Sequence, residues 1–175
     1  MPSAKPLSGL KKYRVLVLCC GNMDRGDDAV GPLCAAALAE RHIPARTVRG
    51  DTSELLEAWH SAEHVIVVDA IHGGHATPGT LYLAALGEPA FDARAARCPA
   101  LAQAVHLAGV LKCLPETLVL AGIEATQFEW ASTLSPPVAG ALDRLVSAVE
   151  ARWRELADVH PAIKSRTRSI SSGKI

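Results

Sequence analysis

Apolar positions along this chain fall into short continuous runs that alternate with stretches of helical spacing. YRVLVLCC (13–20) is one such run, stopped by Gly21-Asn22, and reads as a strand buried on both faces of a parallel sheet. From Asp28 to about His42, Val30, Leu33, Cys34, Ala37 and Leu38 recur at helical spacing, and Pro32 fits only if that helix begins near Asp28. A second strand fits Ala45–Arg49, and Asp51 with Glu54 predicts a capping box opening a short helix through Trp59. HVIVVDAI (64–71) is the clearest strand. It leads into the turn-rich HGGHATPG and then GTLYLAAL (79–86), a connection too short for a crossover helix, so the fourth strand is expected to be antiparallel at an edge.

Residues 87–100, with Gly, two Pro and mixed charges, read as a surface loop, followed by a helix over 101–114 and a last strand, LVLAGIE, at 118–124. Ser135-Pro136-Pro137 then predicts the cap and first turn of one long helix, with Val138, Leu142, Leu145, Val146, Val149, Trp153 and Leu156 on its apolar face. Strands alternating with helices imply a three-layer α/β domain over 13–158, with a flexible segment at 1–12 and a disordered basic tail at 159–175. Ligands in such domains gather beyond the carboxyl ends of the strands. If strands one and three are neighbours, Asp28 and Asp69 face one crevice.

Composition narrows the choice of partner. Lys+Arg and Asp+Glu both number 18, which gives no basic field for nucleic acid. No apolar run is long enough to span a membrane, and no apolar stretch follows the lysines of the first twelve residues, so neither a membrane anchor nor a secretory signal is expected. Five cysteines without a C-x-x-C pair read as reduced thiols in a cytoplasmic protein.

The candidate chemistry lies in two loops and one helix. GNMDRGDDAVG (21–31) occupies the place of a phosphate-binding loop, but Asp24, Asp27 and Asp28 would repel a phosphate and suit a cation better. The plainer alternative is that Asp27 or Asp28 only caps the following helix. Asp69 closes an apolar run, where a carboxylate is costly unless paired, hydrogen-bonded or metal-bound, although it could simply cap backbone in the loop. Most of the seven histidines read as structural or solvent-facing; His72 and His75 lie near the crevice, and His106 sits in the helix between Val105 and Leu107. With Asp28 and Asp69, His106 would complete an N/O set suited to nickel or zinc, but its spacing makes no local metal motif.

Four segments, VLVLCCGNMDRGDDAVGP, VIVVDAIHGGHATPGTLY, AVHLAGVLKCLPETLVLAGIE and LSPPVAGAL, together resemble the nickel–iron hydrogenase maturation endopeptidases over nearly the whole of 13–157. The resemblance implies a phosphorylase/hydrolase-like α/β/α fold whose mixed five-stranded sheet runs 2-1-3-5-4 with strand 4 antiparallel. It implies a peptidase, aspartyl-type or metal-dependent, that removes a C-terminal extension from the precursor of a hydrogenase large subunit. Asp28, Asp69 and His106 would contact nickel carried by that substrate, with no permanent cofactor, and Gly21, Asn22 and Asp27 would support the loop or bind substrate. Asp28 and Asp69 would carry the chemistry, as metal contacts or by activating water. A non-catalytic nickel-sensing chaperone of the large subunit is the alternative, and a monomer is the simplest state. Two positions depart from the family pattern: Cys19 replaces the first glycine of Gly-x-Gly-Asn, and Asp24 stands where Leu is common.

Overall fold

The computed structural model describes residues 12–73, 76–131 and 133–158. The expected flexible segment (apart from Lys12), the basic tail and His75 lie outside the described residues. Five strands, β1 (Tyr13–Cys20), β2 (Ala45–Val48), β3 (Ala62–Ile71), β4 (Leu81–Ala85) and β5 (Thr117–Glu124), form one sheet in the order β2-β1-β3-β5-β4. Pairing is parallel except for β4 against β5. The mixed sheet and its antiparallel edge strand are thus as expected. Six helices accompany it among the described residues: α1 (Val30–Glu40), α2 (Thr52–Trp59), α3 (Pro89–Ala95), α4 (Pro99–Leu111), α5 (Pro136–Ala139) and α6 (Leu142–Asp158).

Period-two alternation in the strands divides the core into two layers. Val15, Val17 and Cys19 of β1, with Ile66 and Val68 of β3, meet the buried faces of α1 and α6. Leu16, Leu18 and Cys20, with Val65 and Val67, meet α2 and α4 on the other side. Both faces of the central strands are therefore covered, which is why they read as unbroken apolar runs rather than as alternating ones. Glycine at 31 lets α1 approach the sheet closely: a Cβ there would lie 1.8 Å from the Cys20 carbonyl oxygen. Cys19, at the position where the resemblance implies a glycine, is fully buried and its thiol is hydrogen-bonded with that of Cys34 on α1.

Three local expectations change. Residues 87–100 are not simply a loop. Pro89 and Pro99 occupy first-turn positions of α3 and α4, where a missing N–H costs nothing, and Phe91 and Ala95 anchor α3 in the core. The long helix expected from Ser135 onward is broken at Gly140-Ala141 into α5 and α6, and the Ser135 hydroxyl does not cap it. The capping box is half formed. Asp51 accepts from the Glu54 amide at 2.8 Å, but Glu54 reaches the amide of Arg49 at 2.6 Å rather than that of Asp51.

Candidate active-site crevice

β1 and β3 are neighbours, so their carboxyl ends open side by side and the loops that follow them share a cavity. After β1 the chain turns at Gly21 with φ +136°, where a Cβ would sit 1.9 Å from the Asp28 carbonyl oxygen. Asn22 fixes the next residues: its side-chain oxygen accepts from the Asp24 amide at 2.9 Å, an Asx turn, and its own amide donates to Asp28 Oδ2 at 2.9 Å. A single 3₁₀ turn, Gly26–Ala29, then leads into α1.

The two adjacent acids of this loop go to different places. Asp27 is fully buried and accepts four hydrogen bonds: from the amides of Thr126, Gln127 and Ser135 at 3.0, 3.0 and 2.7 Å, and from the Ser135 hydroxyl at 2.9 Å. Burial works to raise its pKa, but these donors outweigh it and hold the carboxyl below its usual range. Asp27 is therefore the tie between the first loop and the segment after β5. Gly26 and Asp27 also donate backbone hydrogen bonds to Ala131 and Gln127. Neither acid caps a helix through its side chain.

Asp28 instead faces a cavity of about 280 Å³ that Asp69 also lines. Burial raises the Asp28 pKa, opposed by the Asn22 amide and the Arg25 charge. Asp69, at the end of β3, is pushed up to about 7, first by burial and then by the Asp28 charge, against hydrogen bonds from the Cys98 thiol and the Ala70 amide. Two carboxylates sharing a partly dry cavity, one of them half-protonated near neutrality, can exchange a proton with water or neutralise a cation between them.

His106 does not join them. It is exposed on α4, about 140° around the helix from the buried Leu101 stripe, and it is among the lining residues of neither the crevice nor a larger cavity that adjoins it. Of the expected set, Asp28 and Asp69 line the crevice, together with His72, Arg97 and Cys98. His72 packs edge-on to Phe128 with ring centroids 5.1 Å apart. Arg97 donates to the His72 carbonyl at 3.1 Å and pairs with buried Glu124 at 2.6 Å, while Tyr82 donates to the same Glu124 at 2.8 Å. Arg97, Cys98 and Glu124 escaped sequence reasoning. An acid ending a buried strand, as Glu124 ends β5, was the one available signal, since it repeats the pattern that marked Asp69. Asp24 is exposed and lines neither cavity. Gly21 lines both, and Asn22 lines the neighbouring one. Among the described residues no three His, Cys, Asp or Glu side chains are grouped to hold a metal ion, and no helix is long and apolar enough to cross a membrane.

Comparison with known proteins agrees with this architecture. A family model described as hydrogenase maturation protease matches residues 50–152. The hydrogenase expression/formation protein HupD of Rhodobacter capsulatus is 34% identical over 155 residues, covering 82% of this chain and 70% of that protein. The solution structure of an endopeptidase from Escherichia coli is 27% identical, with a TM-score of 0.71 over 81% of this chain and 93% of that one. The [NiFe] hydrogenase maturation protease HybD from Thermococcus kodakarensis is 26% identical, with a TM-score of 0.66 over 79% and 98%. With its sheet order, its crevice between β1 and β3 and these relatives, the chain belongs to the hydrogenase maturation protease family and is a peptidase.

Proposed function

We propose that the Asp28–Asp69 crevice reads nickel carried by the precursor of a [NiFe] hydrogenase large subunit, and that the C-terminal extension of that precursor is cut beside it. The observation that carries this reading is the convergence of two carboxylates, both with raised pKa, on one open cavity. Two anions in a partly desolvated site repel each other, and a cation relieves that repulsion. Two donors suit a cation that arrives with other ligands of its own, so nickel is the substrate's cargo here rather than a resident cofactor.

The chain's residues have definable roles in the cut. Asn22 holds Asp28, and the Cys98 thiol and Ala70 amide hold Asp69, so both carboxylates are oriented before substrate arrives. Asp69, with its pKa near 7, can accept a proton from the attacking water and return it to the departing amine. Exposed Met23 and Trp130 stand on the two loops that the Arg25–Ala131 bridge joins, an apolar rim that fits a protein substrate. The five unpaired thiols accord with work in the cytoplasm, and the protein is expected to act as a monomer on the precursor without nucleic acid or membrane.

The test is incubation with nickel-loaded and nickel-free precursor, the C-terminal peptide being followed by mass spectrometry. Release from the nickel-loaded form alone supports the proposal. Binding without release would make the protein a nickel-sensing chaperone, and equal release from both forms would remove nickel from its function.

A further inference from the structure

A second, larger cavity of about 620 Å³ adjoins the crevice and shares Gly21, Asp28 and Arg49 with it. Two guanidinium groups line it, Arg25 and Arg49, against one carboxylate, Asp28. Both arginines are exposed, and neither forms an ion pair among the described residues. The acids nearest in sequence feel the charges of these arginines, Asp28 that of Arg25 and Asp51 that of Arg49, but take their hydrogen bonds from other groups. Asp28 accepts from the Asn22 amide, Glu54 from the backbone amide of Arg49, and Asp51 from the Ser53 hydroxyl and the Glu54 amide. Two planar forks that match a carboxylate therefore face a cavity of ligand size beside the catalytic pair.

An extended peptide advances about 3.3 Å per residue, so a chain lying in the crevice reaches the second cavity within a few residues, passing Gly21 where the two join. We propose that the second cavity is a specificity subsite in which Arg25 and Arg49 bind an acidic side chain of the substrate within about five residues of the scissile bond. This rests on the peptidase reading of the adjoining crevice. Neither arginine carries a proton in the cut, so their contact with the acidic side chain sets KM rather than kcat.

The experiment uses the full chain and nickel-loaded precursor in three forms: native, with Asp and Glu near the scissile bond changed to Asn and Gln, and with the native sequence carrying a C-terminal amide. Wild-type enzyme is compared with the doubly substituted Arg25→Gln, Arg49→Gln and with Arg25→Lys, Arg49→Lys, each checked for an unchanged melting temperature. Neutralising the precursor is expected to raise the wild-type KM about tenfold with kcat within about twofold. The glutamine variant should show that higher KM for both sequences, and the lysine variant should recover part of the loss. The amidated precursor should behave as native. Equal KM for native and neutralised precursor, an unchanged KM in the glutamine variant, an effect of the amide alone, or a precursor with no acid near the scissile bond would each overturn the subsite. Failure of the peptidase reading shows separately, as no cleavage of any precursor by the wild type.

Discussion

Asp27 and Asp28 are adjacent in one loop and differ in what surrounds them. Asp27 turns inward, is stripped of water and is repaid by four donors, so its charge is favoured. Asp28 turns outward into the crevice with one amide donor, and its charge is disfavoured. The first is a carboxylate placed for stability and the second, under the proposed function, one placed for reactivity. Both are half of an identical dipeptide, so the distinction comes from the donors that the rest of the fold brings to each.

Removing the reactive side should have the largest effect. Asp69→Asn and Asp28→Asn are expected to cut processing of nickel-loaded precursor by about 10³-fold or more, with the melting temperature held or raised. Normal cleavage by both variants would end the contrast. Asp27→Ala, which leaves two part-buried amides, the buried Ser135 amide and the Ser135 hydroxyl without their acceptor, should cost about 3 kcal/mol in urea unfolding, with residual activity tracking the folded fraction. A fully stable but inactive Asp27→Ala protein would reverse the two roles.

Acidity should tilt stability in opposite directions for the two sides. The folded pKa of Asp27 lies below its unfolded value of 3.8, so its contribution is present above about pH 4 and is lost as pH falls through the lower folded pKa. Asp69 has a folded pKa of about 7 against 3.8 unfolded, so the folded state holds the extra proton and stability declines as pH rises between those values. After allowance for solvent, that decline is on the order of 2 kcal/mol, and Asp69→Asn should flatten it in unfolding curves taken from pH 4 to 8. The smallest effect belongs to His106→Ala. Stability and processing should both stay within about twofold, since the side chain is exposed on a helix and has no partner among the described residues. A large loss of processing would return His106 to the site.

Much of this architecture was legible locally. The runs at 13–20, 64–71 and 118–124 gave their strands because burial on both faces leaves no polar alternation, and the short link before 81 betrayed the antiparallel edge. Asp69 was visible because an acid at the end of such a run needs a reason. What escaped were relations across the chain. The partners of Asp27 lie about a hundred residues away, so no local pattern distinguishes it from Asp28. Pro89 and Pro99 looked like loop residues because a first-turn proline and a loop proline are the same letter until Phe91 is seen to be buried. The exposure of His106 was hidden for a related reason. Residue type suggested a ligand, and only the helix phase shows that it faces water.

The tie made by Asp27 also has a consequence for the order in which the molecule is made. A ribosome delivers β1, α1 and β3 first, and with them both crevice carboxylates. The donors at Thr126, Gln127 and Ser135 come later, as does β5, without which β3 has an open edge. A nascent or truncated chain ending before Thr126 thus holds Asp28 on a loop that nothing yet clamps, with Asp69 beside it on a strand whose far edge is open, and under the proposed function the crevice is set only once residues 126–135 have been made.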